Sequence, residues 1–223
     1  MSRYLVGFWL CVAWIALAAM PAVAEKPEWP LLLADDFEKG ADHWKPTDPN
    51  AWKVIDSPQG KIYSQFKQSK YNPPYRSPFN ISLVKDLVVG DFLLTVKAQS
   101  TCRDYPHQDL CLFFGYQDPA HFYYVHLGKR ADPNSNQIMI VNGAPRIKIT
   151  KTGTTGTPWD KGWHQVKIVR LVKDGRIEVF FDDLTKPALT AVDKTFTRGQ
   201  VGIGSFDDTG NWDDFRLYGV KAP

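Results

Sequence analysis

The chain has 223 residues, 27 of them Lys or Arg and 24 Asp or Glu, for a formal charge of +3. That near balance, with the basic residues scattered, offers no charged stripe and excludes nucleic acid as an indicated partner. The length suits one substantial core and does not argue for two domains.

The N-terminus reads "MSRYLVGFWLCVAWIALAAMPAVAEKPEWP". Arg3 supplies a positive start, residues 4–19 are an unbroken apolar run, and Ala22-Val23-Ala24 has the small-x-small form of a cleavage site. This predicts a signal peptide over 1–24 and a mature chain from Glu25, exported to the periplasm or the extracellular space. The apolar run is shorter than the roughly 20 residues of a bilayer span, so no membrane span is expected after cleavage. Cys11 lies inside the run behind Leu10, which does not fit a lipoprotein. Residues 25–31 read as a short tether and 32–221 as a single domain.

Two cysteines remain, Cys102 and Cys111, flanking "RDYPHQDL". In an oxidising compartment they are candidate partners for a disulfide across a hairpin mouth; two reduced thiols are the alternative. No Cys-x-x-Cys is present, so a zinc or thioredoxin-like reading has no support.

Downstream the periodicity is β almost throughout. "WKVI", "KIYSQF", "NISLVKDL", "DFLLTVKAQ", "DLCLFFGY", "FYYVHLG", "QIMIVNG" and "RIKIT" follow one another, then "WHQVKIVRLVKDGRIEVFFDD", "GQVGIGSFDD" and "WDDFRLYGV". Turn signals such as "QDPAH", "NGAP", "KDGR" and "DDTGN" separate them. The pattern predicts about twelve to fourteen strands and no sustained helix. Two packed antiparallel sheets follow, an all-β jelly-roll sandwich. The clearest hairpin joins Trp163–Leu171 to Arg176–Phe181 through Lys173-Asp174-Gly175, where the glycine supplies a positive φ.

The segments "LADDFEKGADHW", "DLCLFFGYQDPAHFYYVHLG", "WHQVKIVRL…GRIEVFFDD" and "GQVGIGSFDDTGNWDDFRLYG" resemble the concanavalin A-like lectin/glucanase superfamily. Within it the chain is most similar to the branch of the 3-keto-disaccharide hydrolase domain and the laminin-G-like modules of exported bacterial proteins. The resemblance covers about residues 32–221. It implies two curved sheets, first and last strands side by side, and a face that binds a saccharide. It further implies an exported carbohydrate-active protein that cleaves 3-keto-disaccharides or related glycosides; a lectin-like binding module and a structural envelope domain are the alternatives. The Glu-x-Asp-x-x-Glu strand of the retaining glucanases is missing: in "GRIEVFFDD", Glu178 is followed by Phe180.

Four Asp-Asp pairs stand at Asp35-Asp36, Asp182-Asp183, Asp207-Asp208 and Asp213-Asp214. Neighbours in a strand point to opposite faces, so any acid/base couple must form between strands. Three readings are open. Asp182-Asp183 and Asp207-Asp208 end strands and accept turn N–H bonds. Asp36 and Asp214 meet at the paired termini and hold a structural calcium, as the resemblance allows; nothing in the sequence requires another cofactor. Asp207 faces the groove and binds or activates substrate.

For the sugar face, aromatic and charged groups stand together in "PYRSPFN" and in "RDYPHQDLCLFFGYQDPAHFYYVHLGKR". Catalytic candidates are His126, Asp109 and Asp207; binding candidates are Arg76, His107, Tyr124 and Arg146. Their faces depend on register. A four-residue "QDPA" loop groups Tyr124 and His126 with Phe113, Cys111 and Asp109; a three-residue loop groups them with Phe114, Leu112 and Tyr116. The first is preferred because it places Asp109 with His126. The expected partner is a saccharide, and the oligomeric state is left open.

Overall fold

The computed structural model describes residues 28–222. The predicted signal peptide lies outside the described residues. Sixteen strands, numbered in chain order, form two antiparallel sheets, more strands than the periodicity predicts because several are only two to five residues long.

The nine-stranded sheet runs β11 (Thr150–Gly153), β14 (Leu189–Val192), β13 (Arg176–Phe181), β12 (His164–Leu171), β6 (Val89–Ser100), β16 (Gly210–Lys221), β4 (Gly60–Gln65) and β3 (Trp52–Ser57), with β1 (Leu31–Asp35) also on β16. The seven-stranded sheet runs β10 (Ile147–Lys148), β9 (Gln137–Asn142), β8 (His121–Gly128), β7 (Asp109–Asp118), β15 (Gln200–Ser205), β5 (Asn80–Val84) and β2 (Trp44–Pro46). Among the described residues no helix is long and apolar enough to cross a membrane.

The expected pairing of first and last strands is present: Leu31 stands opposite Tyr218 and Asp35 opposite Phe215. The first strand thus begins at Leu31. The β12–β13 hairpin also forms, with Gly175 at φ +72° in its turn.

Between the sheets lies the main core. Leu94, Val96 and Leu217 from one sheet meet Phe114, Tyr123, Val125 and Ile203 from the other, each at most 1% exposed. Full burial of such side chains contributes about 1.5–3 kcal/mol apiece, before the entropy of ordering them is subtracted. A second cluster covers the opposite, outward face of the seven-stranded sheet. Ile81, Leu83, Phe113, Phe122, Tyr124, Met139 and Phe206 form it, with Tyr71, Tyr75 and Phe79 packed on top from the segment between β4 and β5. That strands of this sheet are apolar on both faces follows from their being covered on both.

The β7–β8 ladder settles the register. Cys111 stands opposite His126 and Phe113 opposite Tyr124, which is the preferred arrangement. It is reached differently from expected: Asp118 pairs with His121 around a two-residue turn, and a bulge between Phe114 and Asp118 restores the phase. Gly115, at φ +56°, supplies the left-handed residue in that bulge.

The expected disulfide is not formed. Cys102 and Cys111 are both free thiols. Cys102 follows the end of β6 in one sheet, and Cys111 lies within β7 in the other. The residues between them cross from sheet to sheet, so there is no hairpin mouth to bridge. The Cys111 thiol instead donates to Asp109 Oδ2 at 3.3 Å, and Cys102 Sγ lies 3.4 Å from Ser100 Oγ.

Candidate functional site

β7 starts, β8 ends and β15 ends at the same edge of the seven-stranded sheet, so their connecting segments converge there. Arg76 and Arg146 reach the same place over the outward face, tied by a bond from the Arg146 N–H to the Arg76 carbonyl at 3.2 Å. The result is a cleft of about 460 Å³ lined by Asp109, His126, Asp207, Arg76, His107 and Arg146, together with Phe206, Tyr105, Asp132 and Asn134. Six of the seven catalytic and binding candidates thus meet in one place. The seventh, Tyr124, lies directly behind, its ring centroid 6.1 Å from that of His126.

Asp109 and His126 form the buried floor. Asp109 is fully buried; its Oδ2 accepts from the Phe206 N–H at 2.7 Å and lies 3.6 Å from His126 Nε2. Burial raises its pKa to about 8, reinforced by the charge of Asp208 and opposed by the Phe206 N–H. The same burial acts on His126 in the other direction, and with the charge of Arg146 it lowers that pKa to about 3. At neutral pH the pair therefore holds its proton on the carboxyl group and a neutral imidazole. The His126 ring stacks on Phe206, centroids 5.7 Å apart and planes within 9°.

Phe206 is the centre of the site and was not singled out from sequence. Besides His126, the Arg146 guanidinium lies 4.0 Å from its ring centroid and that of Arg76 5.8 Å. Phe79 meets it edge-on at 5.4 Å. The signal available in sequence was only its place after "GIGS", where Gly202 and Gly204 make room on the outward face. A Cβ on Gly202 would lie 2.9 Å from Leu83 Cδ2, and one on Gly204 3.2 Å from Phe113 Cε2.

The Asp207-Asp208 pair divides its labour. Asp208 is structural: its Oδ2 accepts from the Asp109 N–H and its Oδ1 from the Tyr105 hydroxyl, each at 2.8 Å. Burial raises its pKa. Asp207 is exposed on the rim of the cleft, as its candidate role requires. Asp109, Asp207 and Asp208 each offer an oxygen atom, all within 4.8 Å of one another, the spacing of a metal-binding set. His107 faces Asp132 across 3.7 Å.

Several polar atoms here are buried without a hydrogen-bond partner in the protein: Asp109 Oδ1, His126 Nδ1, the Tyr124 hydroxyl, and Nε and Nη1 of Arg146. Buried polar groups are ordinarily satisfied, and such a concentration marks a place that receives something polar.

A larger cleft, about 510 Å³, lies by the β1–β16 ladder and brings Asp36 and Asp214 together, as the calcium reading requires. Two of its carboxylates are committed within the protein. Asp214 Oδ1 accepts from Nε and Nη2 of Arg216, both at 2.9 Å, and its Oδ2 lies 3.5 Å from Lys97 Nζ. Asp35 accepts from the Phe37 N–H and the Trp44 indole, both at 2.9 Å. Two cations already balance Asp214, while Asp36 accepts from the Glu38 N–H at 3.3 Å. None of this cleft's lining groups is among the buried unpartnered atoms. Asp183 follows the turn reading, accepting from the Thr185 N–H at 2.9 Å, whereas Asp182 reaches across to β12 and accepts from the Gln165 N–H at 3.0 Å.

No family model and no curated protein matches the chain. Solved structures do. The carbohydrate binding module CBM66 from Bacillus subtilis aligns over 79% of this chain and 95% of its own, with TM-score 0.56 at 16% identity. Domain 4 of AbnA, a GH43 extracellular arabinanase from Geobacillus stearothermophilus solved with arabinotriose, aligns over 87% and 95%, with TM-score 0.55 at 10% identity. The carbohydrate recognition domain of Emp47p aligns over 84% and 95%, with TM-score 0.56 at 9% identity. The fold is a lectin-like jelly roll. At such identities the likeness carries the architecture and leaves activity to the site itself.

Proposed function

We propose that this jelly roll binds a saccharide in the Asp109–His126 cleft and cleaves its glycosidic bond. The observation that carries the proposal is the set of buried, unpartnered donors and acceptors on the cleft floor. A sugar, with hydroxyls that both give and accept, is the ligand class that satisfies such a mixture. The solved structures named for carbohydrate recognition lend the same reading their support through the shared architecture.

Cleavage is favoured over binding alone by the form of the cleft. Its central ring, Phe206, is occupied by His126 and Arg146 and is no open platform for a pyranose. What faces the cleft is an imidazole, two guanidiniums and carboxyl groups. In the finer reading the substrate is a 3-keto-glycoside. The imidazole of His126 takes the acidic proton from the carbon beside the ketone. The electron pair of that C–H bond first moves into an enolate; as the ketone re-forms, the pair makes the new carbon–carbon double bond, the glycosidic C–O bond breaks and Asp109 protonates the departing oxygen. Arg146 stabilises the enolate oxygen that develops. The pair ends as imidazolium and carboxylate, and a proton passing back restores it. Opposed pKa shifts in adjacent groups are the pattern expected of such a couple.

The test is product analysis with 3-keto-trehalose and related 3-keto-glycosides. Release of free sugar by the mature chain, lost in His126→Gln and Asp109→Asn, supports the enzyme. Saccharide binding by calorimetry with no turnover on any of these substrates replaces it with a lectin-like binding module.

A further inference from the structure

The cleft contains two positive charges that the protein itself does not neutralise. Among the described residues neither Arg76 nor Arg146 has a carboxylate within ion-pairing distance. Arg146 makes one weak bond, Nη2 to the Asn134 carbonyl at 3.5 Å, and its Nε and Nη1 are buried without acceptors. Both guanidiniums lie against the same ring, at 4.0 and 5.8 Å from the Phe206 centroid. Two like charges held beside one aromatic ring repel each other, and Arg146, half-buried where Arg76 is exposed, also loses solvation, unless an anion comes between them.

The carboxylates close by are not that anion. Asp208 is committed to the Asp109 N–H and the Tyr105 hydroxyl. Asp132 accepts from the Asn134 N–H at 2.6 Å and faces His107. Only the exposed Asp207 is uncommitted on the rim, and it makes a doubly charged ligand less welcome than a singly charged one. Planar guanidinium forks match the geometry of a carboxylate.

We propose that the cleft selects an acidic saccharide, a glycoside whose sugar carries a carboxylate that Arg146 and Arg76 receive over Phe206. This deepens the saccharide reading above and rests on it. The hydroxyls of the same sugar face Asp109 and His126.

The experiment is isothermal titration of the mature chain with oligoglucuronate and oligogalacturonate, against neutral oligosaccharides of matched length and against a sulfated one. Uronates bind about tenfold tighter or more than neutral sugars. That advantage shrinks as NaCl rises from low to 0.5 M, about the range over which ionic screening becomes strong. Arg146→Gln and Arg76→Gln each reduce the preference, and Arg146→Lys, which keeps the charge but not the fork, retains only part of it. Unchanged melting temperatures in these loop variants exclude misfolding as the cause. Equal binding of neutral and acidic sugars overturns the inference and leaves the saccharide reading standing. Tighter binding of the sulfated sugar overturns the carboxylate assignment. If no saccharide binds at all, the saccharide reading falls and takes this inference with it.

Discussion

Asp109 Oδ2 and His126 Nε2 stand 3.6 Å apart on the cleft floor, both side chains buried, and burial moves their proton affinities in opposite directions. The consequence for stability follows from linkage. Asp109 goes from a pKa of 3.8 in the open chain to about 8 when folded, so its contribution is fully present below 3.8 and is lost as pH rises through 8. His126 goes from 6.5 to about 3, so its contribution is fully present above 6.5 and is lost as pH falls through 3. Between 3.8 and 6.5 the two slopes cancel. The expected profile is a plateau over that interval, with this pair's contribution falling by at most about 1.4 kcal/mol per pH unit from 6.5 towards 8. Thermal melts across pH test it: Asp109→Asn removes the alkaline decline and His126→Gln the acid one. An alkaline limb unchanged in Asp109→Asn would show that the carboxyl group is not held neutral.

The thiols of Cys102 and Cys111 are both expected to be free. Denaturation without reductant followed by alkylation and mass measurement will label Cys102 and Cys111 together. Reductant will leave the melting temperature where it was. A species resistant to alkylation until reduced would restore the disulfide that the structure does not form.

Gly204 is expected to be intolerant of any side chain. An added Cβ would stand 1.9 Å from the Asn80 carbonyl oxygen, a backbone atom on the neighbouring strand that cannot rotate aside. Gly204→Ala should cost more than about 3 kcal/mol in urea unfolding, or abolish folding, because the β15–β5 ladder must separate to make room. A cost under about 1 kcal/mol would mean that the strands are more loosely joined than their register implies.

Chelation provides a fourth test. Because Arg216 and Lys97 already balance Asp214, EDTA is expected to leave the melting temperature unchanged in metal-free buffer, and added calcium to raise it little. A large shift that vanishes in Asp36→Asn would establish calcium at the β1–β16 cleft after all.

How much of this was legible in the sequence depended on which residues carry their own geometric meaning. Alternation in "DLCLFFGY" and "FYYVHLG" specified strands, and one chemical preference, Asp109 beside His126, selected the correct register. The bulge that produces it was not readable, because Gly115 in a strand pattern does not announce how many residues it offsets. Cys102 and Cys111 misled because a spacing of nine describes a hairpin only if both flanks lie in one sheet. Which sheet β6 and β7 join is decided by packing against β16 and β15, far away in the chain. The place of Phe206 and the bonds of Asp208 are not readable from sequence for a related reason. Their partners, Asp109 and Tyr105, are about a hundred residues distant, and only the closed sandwich brings them together.

The pairing of β1 with β16 has a mechanical meaning. The strands are antiparallel, so Leu31 and Lys221 leave the sandwich at the same edge, near the Leu31–Tyr218 rung. Tension applied between the two ends would load that ladder one hydrogen bond at a time, as in opening a zipper, and each bond contributes only about 1 kcal/mol. β16 is gripped on its other side by β6, whereas β1 pairs with β16 alone. Under pull, β1 should therefore peel away first at low force while the rest of the nine-stranded sheet resists. The cleft, built on the other sheet, would keep its shape through that first yield.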